Sequence, residues 1–238
     1  MTDRHEALVA ALADATAANR PLPPFGAQLD LDAALDVQHR LTRQRSPEGP
    51  GGIKLGLTDP GAQATFGLDG PLLASLYPGG RLRSGARIDY LQGRLIECEL
   101  GLVIDASGAI VAAFPALELV YVNFEDRSEL NAPNLVASNL GADLFVVGER
   151  RGVDALEGPI EVNLASGDDL LNTAEISASL EEQTRTARWV QEEALTRGFD
   201  LGDETIVLMG TRGKPVPCER GHYVADYGAF GSVTFEVI

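Results

Sequence analysis

"LIECELGLVID", Leu95 to Asp105, is an apolar run interrupted by two glutamates one residue apart. Read as a β-strand, its side chains alternate between two faces. Leu95, Glu97, Glu99, Gly101 and Val103 then share one face, and Ile96, Cys98, Leu100, Leu102 and Ile104 the other. The second set is wholly apolar and belongs in a core, Cys98 with it. Glu97 and Glu99 must therefore project together from the opposite face, roughly 7 Å apart. Like charges this close raise each other's pKa unless a cation or basic group offsets them. The ordinary alternative is a strand with one wet face, where glutamates are unremarked.

A second stretch bears on that choice. "AFPALELVYVNF", Ala113 to Phe124, is another apolar strand-like run with a single carboxylate, Glu118. Alternation puts Glu118 with Ala116, Val120 and Val122, against Leu117, Leu119 and Tyr121 on the other side, so both faces read as buried. An ionised carboxylate alone there is costly to desolvate, which leaves it protonated, hydrogen-bonded or bound to a metal. Three carboxylates on successive strands can form an all-oxygen site. Such ligands suit Mg²⁺ or Mn²⁺ better than Zn²⁺, and no cluster of cysteines and histidines competes.

The 238 residues suffice for a sizeable core in one domain with a small appendage. With 19 basic and 35 acidic residues the net charge is −16, which argues against a nucleic-acid or anionic-membrane partner. Cys98 and Cys218 lie far apart, so neither a disulfide framework nor a zinc site is expected. Charged Asp3, Arg4, His5 and Glu6 precede an alanine-rich helix, and no apolar run reaches membrane-spanning length; a cytoplasmic protein is expected.

Helices are expected over residues 5 to 18 and about 31 to 45, separated by "RPLPPFGAQLD". In the second, Leu31, Ala34, Leu35, Gln38, Leu41 and Thr42 lie near one stripe, with Asp30 or Asp32 as cap. Strand-like runs follow: "IKLGLT", "LIECELGLVI", "LELVYVNF", "DLFVVGER" and "PIEVNLAS". One more helix is expected at roughly Ser179 to Arg197, with Leu180, Ala187, Val190, Ala194 and Leu195 as its apolar positions. The tail returns to strands in "DETIVLMG" and "GSVTFEVI". Helices first and a long β region after give an α+β class. The division is a helical N-terminal subdomain, residues 1–50, and a β-rich catalytic domain, residues 51–238.

With "IECELG", "PALEL" and the upstream "GGIKLGLT", the chain resembles the 2-keto-4-pentenoate hydratase / 4-oxalocrotonate decarboxylase branch of the fumarylacetoacetate hydrolase superfamily. The likeness spans most of the chain: "ALDVQHRLTRQR" is similar to the family's second helix, "VASNLGADLFVVG" to its central segment, and "GDETIVLMG" to its G-D-x-x-x-x-x-G strand. The resemblance implies a small helical N-terminal part on a mixed β-roll core. It also implies a Mg²⁺ or Mn²⁺ ion held by Glu97, Glu99 and Glu118, chelated by a 2-oxo acid or its dienol through carboxylate and 2-oxygen. Lys54 matches the family's active-site lysine, a candidate for proton transfer or carboxylate binding, against the ordinary reading of a solvated charge in a Gly-rich loop. Asn139 matches a family position and Arg212, with Lys214, can supply positive charge to an anionic substrate; the ordinary readings are a turn-forming asparagine and an exposed basic loop. His39 and Trp189 read as packing residues.

The chain also departs from the family pattern. "GPLLASLYPG" puts Leu72 and Leu73 where an acidic residue is common, Met209 replaces a threonine, and "SASLEEQTRTARWV" replaces the usual helix start. The expected activity is a metal-dependent lyase hydrating a 2-hydroxy-2,4-dienoate or decarboxylating a 4-oxalocrotonate-like acid. The competing expectations are acylpyruvate-type C–C hydrolysis, for which no His-Glu pair is evident, and a non-catalytic partner subunit. The expected partners are the small 2-oxo acid substrate, further copies of the chain, and a companion decarboxylase or hydratase.

Overall fold

The computed structural model describes residues 3–26, 28–176, 179–199 and 201–238. The elements in chain order are α1 (Asp3–Ala17), α2 (Leu31–Arg45), β1 (Gly52–Gly56), α3 (Pro60–Phe66), β2 (Leu72–Leu76), β3 (Arg81–Arg83), β4 (Ala86–Ile88), β5 (Arg94–Asp105) and β6 (Ile110–Tyr121). There follow α4 (Ala132–Ala137), β7 (Ala142–Val147), β8 (Ile160–Ser166), β9 (Asp169–Ile176), α5 (Leu180–Thr196), β10 (Glu204–Leu208), β11 (Arg212–Pro217), β12 (Gly221–Asp226) and β13 (Ser232–Val237). Among the described residues these strands make two sheets. One runs β2-β1-β10-β5-β6-β7-β3, with β11 also on β5; the other runs β4-β13-β12-β8-β9. The class is α+β with mixed sheets, and no helix among the described residues is long and apolar enough to cross a membrane.

The alternation in the long hairpin β5–β6 decides where the core lies. Ile96, Cys98, Leu100, Leu102 and Ile104 on β5, with Leu117 and Leu119 on β6, all enter the main apolar cluster, which Val162, Tyr223 and Phe235 of the second sheet and Ala187 and Val190 of α5 complete. Burying each such side chain contributes roughly 1.5–3 kcal/mol, which fixes the register of the pair. The opposite face feeds a smaller cluster with Val103, Ala116 and Phe145. Both faces are thus covered where the glutamates stand, and the wet-face alternative is excluded for Glu99 and Glu118, each fully buried.

The helices obey their sequence signals with local corrections. Asp30 caps α2 by accepting from the Ala33 amide. The stripe of α2 includes the fully buried Val37, whereas Leu31 is exposed. Gln38 is buried because its side-chain amide donates to the Leu73 carbonyl at 3.0 Å, tying α2 to β2. In α5 the buried line is Gln183, Ala187, Val190 and Ala194, with Leu180 and Leu195 outside it. His39 stacks on Phe199, and Trp189 packs against the main core. The N-terminal helices share an apolar cluster with Leu72, Ala74, Phe124 and Leu140, so packing runs continuously across residue 50.

Candidate metal centre

The β5–β6 register sets Glu97 directly opposite Glu118 and Glu99 opposite Ala116. All three glutamates therefore rise from one face of one hairpin, and one carboxylate oxygen from each lies within 4.8 Å of the others. Glu99 and Glu118 are buried and Glu97 is half-buried, so the cluster opens toward solvent on the Glu97 side.

Lys54 joins them from β1. It stands on a strand, not in a loop, and is 3% exposed, which overturns the solvated-charge reading. Its Nζ donates to Glu118 Oε1 at 2.5 Å and to the Leu140 carbonyl at 3.2 Å. The carbonyl is presented by a left-handed turn in which Asn139, Leu140 and Gly141 have φ of 59°, 51° and 64°. Left-handed backbone at a leucine costs about 1–2 kcal/mol, so the surrounding packing must impose it. Gly56 permits the approach, because a Cβ there would meet Leu140 Cδ1 at 2.7 Å.

Glu99 is fixed at its tip: Oε2 accepts from the Gly210 amide at 2.7 Å. Gly210 has φ +86°, and a Cβ there would stand 2.5 Å from Thr58 Cγ2, so both its conformation and its space require glycine. Glu99 Oε1 and Glu118 Oε2 remain buried without a hydrogen-bond partner. Unpaired buried carboxylate oxygens are costly. Two of them converging with Glu97 form an all-oxygen donor set that fits a hard divalent cation.

The electrostatics follow from burial and crowding. Burial raises the Glu99 carboxyl well above its usual range, and Glu118 and Glu97 push it further against the pull of Lys54. Glu118 rises to about 7, again through burial first, with Lys54 opposing and Glu97 adding. Burial alone would discharge Lys54, but Glu118, Glu97 and Glu99 outweigh it and hold the ammonium above its ordinary value. The metal-free centre therefore holds protons more tightly than separate carboxylates would, and a cation binding there would displace them.

The remaining expected site residues are placed differently. Asn139 is fully buried, but its amide is engaged at both ends with Ser75: Oδ1 accepts from the Ser75 amide at 2.9 Å and Nδ2 donates to its carbonyl at 2.8 Å. It holds the strained turn against β2. Arg212 begins β11, half-buried, with Nη1 turned to the Gly210 and Thr211 carbonyls at 3.4 and 3.3 Å. Lys214 is exposed. Among the described residues, Lys54 is the cation hydrogen-bonded to these glutamates. Sequence reasoning passed over Gly210, although "GDETIVLMG" ends on it, and Leu140, for whose carbonyl no local pattern exists.

No family model matches the chain. It is 30% identical over 239 residues to "2-keto-4-pentenoate hydratase 2" of Dechloromonas aromatica (strain RCB), covering 91% of this chain and 90% of that one. The chain belongs to the 2-keto-4-pentenoate hydratase family. A further family member, from Burkholderia vietnamiensis, is 26% identical over 251 residues, covering 95% and 94%. The hydratase-family fold has a near relative in 4-oxalocrotonate decarboxylase from Pseudomonas putida G7, solved with magnesium and adipate, at a TM-score of 0.86 and 19% identity over 100% of this chain and 98% of that one. Fumarylpyruvate hydrolase from Pseudomonas aeruginosa, solved with Mn²⁺ and pyruvate, shares a smaller part, with a TM-score of 0.58 and 13% identity over 78% and 88%.

Proposed function

We propose that this chain is a metal-dependent lyase that adds water to a short 2-hydroxy-2,4-dienoate, the enol of an unsaturated 2-oxo acid, with Mg²⁺ or Mn²⁺ held by Glu97, Glu99 and Glu118. The observation that carries the reading is the convergence of three carboxylate oxygens within 4.8 Å, two of the residues buried, beside a buried lysine. When bound, the ion supplies Lewis acidity and open positions for two neighbouring oxygens of the 2-oxo acid. The names of the sequence relatives favour hydration.

Lys54 supplies the chain's own proton chemistry. An ammonium has three hydrogens; two of Lys54's are directed to Glu118 and the Leu140 carbonyl. The third is available to the substrate, to hold its carboxylate or to deliver a proton to the terminal carbon of the diene. In the metal-free centre Glu118, Glu97 and Glu99 keep Lys54 charged against the effect of burial, and a bound divalent ion would offset the same glutamates and ease release of its proton. Asn139 keeps the Leu140 carbonyl in place, and Gly210 orients Glu99.

Incubation of the purified chain with 2-hydroxypenta-2,4-dienoate and Mg²⁺, followed by NMR, should give 4-hydroxy-2-oxopentanoate, and chelation should abolish it. Release of CO₂ from a 4-oxalocrotonate-type diacid without hydration would assign the decarboxylase reaction instead. Turnover of neither would leave a non-catalytic subunit. We take the enzyme to work as a cytoplasmic homo-oligomer, for which sedimentation and cell fractionation are the tests.

A further inference from the structure

Glu99 is held at its carboxylate by Gly210 and, from the other side of the sheet, at its main chain by a tyrosine distant in sequence. Tyr227 follows β12, its amide donating to the Gly231 carbonyl at 2.9 Å across the turn at Gly228–Phe230. Its ring is 2% exposed and belongs to the main core between the sheets. The hydroxyl crosses that core to the β5–β6 pair. It donates to the Ala116 carbonyl at 2.6 Å, lies 3.1 Å from the Glu99 carbonyl, and accepts from the Glu99 amide at 3.2 Å.

Glu99 and Ala116 are directly opposite one another in the register, so one hydroxyl clamps both sides of this ladder position. A phenol has one hydrogen, and the shorter contact to Ala116 takes it, leaving the oxygen free to accept the Glu99 amide. Alternation sends the Glu99 side chain away from the core that Tyr227 occupies. The hydroxyl therefore sits beneath the main chain whose carboxylate stands above, among the other glutamates. With Oε2 tied to Gly210, rotation and height of Glu99 are both set, and Oε1 is left without a hydrogen-bond partner.

We infer that Tyr227 is a positioning residue of the glutamate centre, its hydroxyl fixing the β5–β6 ladder at Glu99 so that the Glu99 carboxylate stays in reach of an ion shared with Glu97 and Glu118. The inference rests on the reading of that centre as a divalent-metal site. Metal–oxygen ligation tolerates errors of about 0.2 Å, and groups that orient a ligand from outside typically govern 10–100-fold in affinity.

Tyr223 provides the control. It is equally buried in the same core, at 2% exposed, and its hydroxyl also holds one residue's main chain, accepting from the Glu219 amide at 2.8 Å and donating to its carbonyl at 2.9 Å. Tyr227→Phe and Tyr223→Phe thus remove comparable hydrogen bonds, but only the first touches a glutamate of the centre. Mn²⁺ titration followed by electron paramagnetic resonance, with a thermal melt of each protein, should show Kd raised about 10-fold or more in Tyr227→Phe and unchanged in Tyr223→Phe, while both melt earlier. Equal affinity in Tyr227→Phe and wild type, or the same loss in both variants, would overturn the inference. A wild-type protein that binds no Mn²⁺ would overturn the metal reading itself, and this inference with it. Should Tyr227→Phe not fold, 3-fluorotyrosine placed singly at 227 or 223 retains both hydroxyls. Saturating Mg²⁺ should then shift the ¹⁹F resonance at 227 and leave that at 223 in place, and an unmoved signal at 227 would refute the coupling.

Discussion

Raising the pH should destabilise the metal-free protein, and the buried carboxylates set the size of the effect. Glu118 moves from 4.5 to about 7 on folding, by burial first, against the attraction of Lys54 and with repulsion from Glu97. A carboxyl raised in the native state binds its proton more tightly there than in the unfolded chain. Its contribution to stability is therefore complete below about pH 4.5 and is lost as pH climbs through about 7. That shift corresponds to about 3 kcal/mol, or about 6–12 °C in Tm for a chain of this length. Glu99, raised by burial and then by Glu118 and Glu97, acts in the same direction. Asp143, raised by burial in spite of Arg94, does so as well. The diagnostic quantity is thus the difference between wild type and Glu118→Gln, melted in chelator from pH 5 to 8. Wild type should lose stability more steeply than the variant. Saturating Mg²⁺ should reverse the wild-type trend, because the cation needs ionised carboxylates and competes with their protons; at 100 times Kd it adds about 2.7 kcal/mol. Parallel curves for the two proteins, or chelated wild type that gains stability over this range, would refute the electrostatic argument.

Glu118→Gln should also weaken Mn²⁺ binding by about 100-fold or more, since a direct anionic ligand should matter at least as much as the groups that orient it; calorimetry showing unchanged affinity would remove Glu118 from the centre. The variant should still fold, because Gln retains an oxygen for Lys54 and relieves the crowding of carboxylates. Lys54→Met should lower turnover by about 10²-fold while leaving Mn²⁺ affinity undiminished; a loss confined to KM would assign Lys54 to substrate binding, and unaltered kinetics would exclude it from the reaction. Oxalate should inhibit competitively and bind only with metal present, because three glutamates repel a dianion until a cation offsets them; equal binding in chelated and Mg²⁺-loaded protein would place the anion elsewhere.

What was legible in the sequence is what repeats with a period or carries a local cap. The α2 range follows from Asp30 and the apolar stripe, and the two faces of β5 and β6 follow from alternation over twelve residues each. Elements too short to show a period escaped: α3 and α4, of seven and six residues, and β3 and β4, of three each. β2 escaped for another reason. Its five residues are all buried, so "LLASL" shows no alternation. Leu72 and Leu73, which stand where the family often has an acidic residue, are strand residues packed in apolar clusters. Ser177 and Ala178 of the altered helix start lie outside the described residues. At the site, the glutamate triad was readable because its members share one hairpin. The contacts that orient it were not, since Lys54 and Glu118 are 64 residues apart, Glu99 and Gly210 are 111 apart, and Tyr227 and Glu99 are 128 apart.

These separations bear on how the centre tolerates its own charge. Three carboxylates with one lysine leave a formal −2 in a largely buried place, which no single segment could stabilise. The fold distributes the task. β1 brings Lys54, a strained turn brings the Leu140 carbonyl that steadies it, and the end of β10 brings the Gly210 amide to Glu99. None of these partners satisfies Glu99 Oε1 or Glu118 Oε2. A fold that stabilised the metal-free state fully would have supplied donors to those oxygens and weakened the drive to bind a cation. Leaving them unpaired makes the metal-free centre a source of instability, and the same unpaired charge is what a divalent ion would neutralise. Apo instability and metal affinity should therefore vary together: a substitution that gives Glu99 Oε1 a protein donor should raise the melting temperature in chelator and lower Mn²⁺ affinity in the same protein.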